Sequence, residues 1–167
     1  VRPGYVFFAT PGYGKLDGRD YIQDAIVAGA VAVVSEIAQN DQVKTSLIMP
    51  PGEKKAVIPH IQIPNLRTMI GQIASRYHGN PTQQMQTIGV TGTNGKTTVT
   101  TLLTKALNRL QIKSGFIGTH GVGSNINKLK KTNMTTPGPF ELQAYMAQLR
   151  DEACESVMME VSSHAIA

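Results

Sequence analysis

The sequence of 167 residues contains few of the residues on which several classes of protein depend. Its single cysteine, Cys154, excludes an internal disulfide and a zinc site built from cysteines. Tryptophan is absent and aromatic residues make up 5%, so few rings are available for stacking on nucleic-acid bases. No apolar run approaches the roughly 20 residues that a membrane-spanning helix needs. We therefore expect a cytoplasmic protein with no membrane span and no nucleic-acid partner.

The composition is that of a packed globular protein, with 41% hydrophobic and 16% charged residues. The net charge of +5 comes from scattered basic residues, and the densest cluster is Lys128, Lys130 and Lys131. A mildly basic protein of this kind suits a small anionic substrate. The chain starts at Val1 on a turn and stops at Ala167 after a polar loop. We expect it to be a piece of a longer protein.

Strand and helix patterns alternate along the chain, which predicts an α/β fold with parallel strands. Strands are predicted over 5–9, 30–34, 46–49, 60–63, 85–91, 114–118 and 156–161, and helices over 20–29, 66–78, 97–110 and 138–151. A turn cluster over 79–82 ends the second helix. This cluster predicts two domains, over residues 1–81 and 82–167.

A glycine-rich segment over 89–98, G-V-T-G-T-N-G-K-T-T, lies between a predicted strand and a predicted helix. Strand, glycine loop and helix N-terminus form a cradle for phosphate groups, because backbone N–H groups point at anionic oxygens. Lys96 is placed to reach the β and γ phosphates, and the Thr97 hydroxyl to coordinate Mg²⁺. The common spacing G-x-x-x-x-G-K-T requires glycine where Val90 stands, so the tight turn must come from Gly92 and Gly95.

Glu160 lies near the carboxyl end of the predicted strand 156–161. Ligands of nucleotide-binding parallel sheets gather outside the carboxyl ends of their strands, so we predict that Glu160 supplies a second Mg²⁺ contact. The alternative is a solvent-facing charge at the end of a strand.

Two further loops carry candidate groups. Thr135 and Thr136 precede a proline, which predicts a rigid loop with two fixed hydroxyls or, alternatively, the cap of the following helix. A serine-serine-histidine run follows Glu160, but it has no glycine elbow and no acid partner for a hydrolase. The loop over 10–18 could present its backbone to a ligand or simply connect two elements.

The order and spacing of these motifs resemble the Mur ligases, a family of ATP-dependent amide ligases. The resemblance lies in segments 91–98, 135–137 and 159–165 and, for the N-terminal uridine-binding domain of the family, in segments 2–9, 17–22 and 29–34. It implies a small N-terminal α/β uridine-binding domain followed by the first half of a P-loop parallel-sheet ATPase domain.

The resemblance also implies a reaction in peptidoglycan synthesis. A diamino acid, meso-diaminopimelate or L-lysine, would be joined to UDP-N-acetylmuramoyl-L-alanyl-D-glutamate through an acyl phosphate, by a monomeric enzyme that uses ATP and Mg²⁺. The resemblance also implies that this chain is catalytically inactive alone, because further parts of the family's active site lie downstream of the segment that matches. Three alternatives remain open: another Mur or folylpolyglutamate-type ligase, a P-loop NTPase that couples hydrolysis to binding, and a nucleotide-binding module without catalysis.

By position, the resemblance assigns roles to individual residues. ATP phosphates would be held by Gly92, Thr93, Asn94, Gly95, Lys96, Thr97 and Thr98. Mg²⁺ would be held by Thr97 and Glu160, and the catalytic residues would be Lys96 and Glu160. The UDP-linked substrate would contact Thr135, Thr136, Ser162, Gly14, Lys15 and Leu16.

Overall fold

A computed structural model of the chain describes residues 1–12, 16–50, 57–132 and 134–163. It contains two compact units, Val1–Met69 and Ile70–Ala167. The domain boundary between residues 81 and 82 stays a prediction. No helix within the described residues is long and apolar enough to cross a membrane.

The first unit is built on a four-stranded mixed sheet. Its elements are β1 (Val6–Ala9), a 3-10 helix (Gly18–Tyr21), α1 (Ile22–Val27), β2 (Ala32–Ile37), β3 (Lys44–Ile48), β4 (Ile58–Pro64) and the start of α2 (Leu66–Tyr77). The strand order is β1-β2-β4-β3, with β2 parallel to both neighbours and β3 antiparallel to β4 at the edge. The α/β class predicted from the alternating patterns is confirmed here.

The first sheet has an apolar core, and a polar pair on its two central strands is hydrogen-bonded. Ile26 of α1 packs with Val33 and Ile58 in the core. Ser35 is buried on β2, and its hydroxyl lies 2.8 Å from the ring nitrogen Nε2 of His60 on the neighbouring strand. Partial burial lowers the pKa of His60, which is consistent with a structural histidine.

The second unit is built on another four-stranded sheet, against which two α-helices pack. Its elements are the rest of α2, a 3-10 helix (Pro81–Gln83), β5 (Gln86–Val90), α3 (Lys96–Arg109), β6 (Ser114–Gly118), β7 (Gly121–Gly123), α4 (Pro139–Asp151) and β8 (Ser156–Glu160). The strand order is β5-β8-β6-β7. Strand β8 is parallel to both β5 and β6, while β7 returns antiparallel to β6 as a hairpin.

Strands β6 and β8 are the interior of this unit, since every residue of both is buried. Strands that are buried along their whole length are typical of parallel sheets covered on both faces. The core joins Ile117 and Val157 of the sheet to Met146 and Leu149 of α4. The carboxyl ends of β5, β6 and β8 therefore meet at one edge on a rigid base.

Helix α3 presents two threonines to the interior. Thr100 and Thr104 are fully buried, and their hydroxyls donate to the carbonyl oxygens of Lys96 and Thr100 at 2.7 and 2.8 Å. Because the hydroxyls are satisfied within the helix, their burial carries little cost. The helix that follows the glycine loop is thus held against the sheet over two turns.

Leucine truncation tests this assignment of the core. We expect Leu149→Ala to lower the free energy of unfolding of the second unit by about 2–5 kcal/mol, because Leu149 is fully buried. Leu110→Ala is the matched control and should cost less than about 1 kcal/mol, since Leu110 is 70% exposed. Urea unfolding followed through amide NMR signals of β6 and β8 measures both, and equal losses would contradict the assignment.

Candidate phosphate and metal site

The glycine loop connects the end of β5 to the start of α3. Gly92 and Gly95 have positive φ angles of 145° and 79°, a conformation that side chains disfavour. The prediction that these two glycines form the tight turn is confirmed. Val90 is the last residue of β5 and pairs in register with Glu160 of β8. A β-branched residue suits that position, because it belongs to the strand and not to the turn.

The N-terminus of α3 is open to an anion. Gly95 is the N-cap residue and has no side chain that could satisfy the first N–H groups of the helix. The ammonium of Lys96 folds back and donates to the carbonyl oxygen of Gly92 at 2.7 Å. Within the described residues no ion pair involves Lys96. Its charge and the helix dipole therefore act together on the space above the loop.

Glu160 is fully buried at the end of β8. Its carboxylate is held by Thr119, which directly follows the neighbouring strand β6. The backbone N–H and hydroxyl of Thr119 donate to its two oxygens at 3.2 and 2.9 Å. Gly118 leaves room for this side chain, since a Cβ there would lie 2.3 Å from Oε1. The alternative of a solvent-facing charge is therefore wrong.

These groups face one open pocket of about 360 Å³. It is lined by Thr93, Asn94, Gly95, Lys96, Thr97, Thr98, Thr119, Thr135 and Glu160. The glycine loop, the first turn of α3, the end of β6 and the end of β8 all contribute. The pocket thus combines phosphate-binding groups with a buried carboxylate.

The oxygen groups of this pocket fit a magnesium ion. Hydroxyl and carboxylate oxygens, here from Thr97 and Glu160, are the hard ligands that Mg²⁺ prefers, with the remainder supplied by water and phosphate. In the described part of the chain, no lysine, arginine or histidine forms an ion pair with Glu160. No cluster of three histidine, cysteine or acidic residues occurs among the described residues, and a site of this kind does not require one.

The two threonines before the proline have different surroundings. The Thr135 hydroxyl oxygen lies 3.1 Å from that of Thr119, at the edge of the pocket. The Thr136 hydroxyl donates to the carbonyl oxygen of Glu160 at 3.1 Å and accepts from the N–H of Ser162 at 3.0 Å. Thr136 therefore ties its loop to the end of β8 and retains little hydrogen-bonding capacity for a ligand.

The alternative role of these threonines, as the cap of the following helix, is wrong. Helix α4 begins at Pro139, and its N-cap is Gly138 with no side-chain hydrogen bond. Thr136 is drawn away because its hydroxyl is used at the end of β8.

Of the three predicted residues in the loop over 10–18, the structure describes Leu16. Leu16 belongs to the first unit and is 65% exposed. Gly14 and Lys15 lie outside the described residues. Thr119 was not predicted, although it lines the pocket and holds Glu160. Its sequence signal is its position directly after strand β6, at the same edge as Glu160.

Comparison with known families matches almost the whole chain. The family description "Mur ligase family, catalytic domain" matches residues 1–78, and "Mur ligase middle domain" matches residues 90–167. The chain belongs to the Mur ligase family. This places the glycine loop, the threonine pair and Glu160 in the middle-domain part of a Mur ligase.

Curated relatives agree with this assignment. The UDP-N-acetylmuramoyl-L-alanyl-D-glutamate–2,6-diaminopimelate ligase of Coxiella burnetii is 40% identical over 167 residues, which are 99% of this chain and 32% of the relative. The ligase of the same name from Pseudomonas putida is 40% identical over 166 residues, 99% of this chain and 31% of the relative. The chain thus spans about a third of the length of these relatives.

Solved structures share the fold. A UDP-N-acetylmuramoyl-L-alanyl-D-glutamate–2,6-diaminopimelate ligase superposes with a TM-score of 0.71 at 26% identity, over 99% of this chain and 31% of that one. The MurF ligase of Thermotoga maritima in complex with ADP gives a TM-score of 0.53 at 21% identity, over 98% of this chain and 30% of that one. The second likeness concerns the fold alone.

A methyl group at Gly118 tests how Glu160 is held. We expect Gly118→Ala to displace the Glu160 carboxylate, because the added Cβ would lie 2.3 Å from its Oε1. Thr119 would lose its acceptor, so its amide hydrogen should exchange faster by about tenfold. Gly123→Ala on the paired strand is the control, since its Cβ would make only a 3.4 Å contact with Leu129. Unchanged exchange in Gly118→Ala would contradict this role.

Proposed function

We propose that this chain is part of an ATP-dependent ligase that joins a diamino acid to UDP-N-acetylmuramoyl-L-alanyl-D-glutamate in peptidoglycan synthesis. The observation that carries the proposal is one pocket in which the phosphate-loop ammonium of Lys96, the Thr135 hydroxyl and the buried Glu160 carboxylate converge. The names of the 40% identical relatives support this substrate pair. Because the chain spans a third of those relatives, the complete reaction belongs to the whole protein.

The phosphate loop would bind the triphosphate of ATP. The N–H groups at the start of α3 would donate to phosphate oxygens, and Lys96 would exchange its contact with the Gly92 carbonyl for the β and γ phosphates. Thr97 and Glu160 would hold Mg²⁺, which as a Lewis acid would stabilise negative charge on the phosphate oxygens.

The proposed reaction transfers the γ-phosphate of ATP to a carboxylate of the bound UDP-linked substrate. In the first step a carboxylate oxygen of the UDP-linked substrate attacks the γ-phosphorus, and the bond to the bridging oxygen breaks to release ADP. In the second step the amine of the diamino acid attacks the acyl carbon, phosphate leaves with the bonding electrons, and the amine loses a proton. Lys96 neutralises charge developing on the bridge, and the rest of the rate comes from positioning.

The threonine loop would position the UDP-linked substrate. Thr135 faces the pocket and is the direct candidate, whereas Thr136 would act by holding its loop against the end of β8. Ser162, which lies next to Thr136, would contact the same substrate. Gly14, Lys15 and Leu16 of the first unit would contact the uridine end, within a domain that we place at residues 1–81. We further propose that the whole protein is a monomeric, cytoplasmic enzyme.

Removal of the Lys96 ammonium tests the proposal. In the full-length protein, Lys96→Ala should lower ADP release that depends on UDP-muramoyl-dipeptide and diamino acid by at least about 100-fold. Lys128→Ala, a charge-matched control on an exposed loop, should keep the rate. Diaminopimelate and lysine are tested in parallel. Near-normal ADP release by Lys96→Ala would overturn the role of Lys96, and release that needs neither co-substrate would indicate an NTPase.

The metal role of Glu160 has its own test. Glu160→Gln keeps the shape and removes the charge, so we expect the Mg²⁺ concentration for half-maximal activity to rise by about tenfold or more. Calorimetry gives a readout besides activity: Mg·ADP should bind more weakly to the variant, while metal-free ADP should bind equally well. Glu155→Gln, an exposed and charge-matched change, is the control. Equal Mg²⁺ dependence in both variants would contradict the metal role.

A further inference from the structure

A second pocket of about 360 Å³ lies beside α3, next to the phosphate pocket. Its polar lining includes the side chains of Lys105, His120 and Lys131, together with Thr101 and Asn127. Ile126 and Leu129, from the loop that follows β7, complete the lining. None of the roles proposed above uses the three basic side chains.

The fold holds this wall in place through backbone contacts. Val122 of β7 and Lys130 exchange two backbone hydrogen bonds of 2.9 Å, which fixes the neighbouring Lys131 at the end of the loop. Gly121 has a φ of 128°, and a Cβ there would lie 2.3 Å from the Lys130 carbonyl oxygen. Lys131 and His120 are therefore carried by two closely packed backbone segments, and Lys105 by helix α3.

No carboxylate is among the residues that line this pocket. No aspartate or glutamate occurs in the sequence from residue 57 to residue 140, and this segment includes every residue that lines the pocket. Within the described residues no ion pair involves Lys105 or Lys131. Two ammonium groups and an imidazole around a cavity without a carboxylate favour an anionic occupant.

The position of the pocket relates it to the phosphate loop. Thr97, Thr101 and Lys105 follow one another at four-residue spacing and so lie on one face of α3. Thr97 lines the first pocket, and the other two line the second. On the opposite wall, Thr119 lines the first pocket and His120 the second. Lys105 therefore lies about 12 Å along the helix axis from Thr97.

We propose that Lys105, His120 and Lys131 form a second anion site, which binds a phosphate group other than the triphosphate on the glycine loop. Donors that approach from a helix, a turn and a loop suit the several oxygens of a tetrahedral dianion better than a planar carboxylate. The phosphate is either free inorganic phosphate or the diphosphate of a nucleotide-linked ligand. This proposal does not rest on the ligase reaction.

The test follows His120 directly in the full-length protein labelled at histidine. Inorganic phosphate and UDP are titrated separately at constant ionic strength, and the ring signals of His120 are recorded by NMR and assigned with His120→Asn. We expect a saturable shift of these signals. Stronger binding of UDP would identify the diphosphate as the ligand, and binding of phosphate as strong as that of UDP would identify the free ion.

Charge-matched variants distinguish a specific anion site from general electrostatic attraction to a basic surface. Lys105→Gln with Lys131→Gln should weaken binding by about tenfold or more, because both contacts are charge-assisted. Arg109→Gln with Lys128→Gln removes the same charge from the same helix and loop, and should weaken it by less than about twofold. Equal weakening in both pairs, or no saturable shift in the wild type, would overturn the proposal.

Lys96→Ala separates this proposal from the proposed function. The variant should lose ADP release and keep the His120 response to the titrated ligand. Loss of the His120 response in Lys96→Ala would show that the signal reports the glycine loop, and would also overturn the second site. Absence of ADP release in the wild type, with the His120 response intact, would overturn the ligase reaction alone.

Discussion

The pairing of β5 with β8 is the constraint on which the phosphate pocket depends. In this register Val90 lies beside Glu160, and the N–H of Val161 donates to the Val90 carbonyl oxygen at 2.9 Å. The glycine loop therefore leaves the sheet next to the buried carboxylate. A shift of one residue would turn Glu160 to the opposite face of the sheet and leave the loop without an acidic neighbour.

The burial of Glu160 is tolerated because the end of β6 is built around it. Gly118 provides the space, and Thr119 provides two donors to the carboxylate oxygens. Thr136 then fastens the threonine loop to the backbone of the same strand end. A buried carboxylate is costly unless it is hydrogen-bonded or neutralised, so this edge is suited to a bound cation.

Most elements were predictable because their local patterns are strong. Strand β6 has the predicted bounds, α3 differs from the predicted helix by one residue at each end, and α4 begins one residue later than predicted. The first helix was predicted as one element, but it is a 3-10 turn followed by a shorter α1, because the Asp17 side chain accepts from the N–H of Arg19. Local patterns specify the presence of a helix better than its exact ends, which are often 3-10 turns.

The sequence by itself determined the α/β class, the glycine loop, the placement of Lys96 at the start of a helix and the family resemblance, because each depends on residues that are close along the chain. Only the tertiary structure decided that Thr119 holds Glu160, that Thr136 serves the backbone, and that Lys105, His120 and Lys131 share a pocket. These contacts join residues that are distant in sequence, and strand order and register, which local patterns do not specify, bring them together.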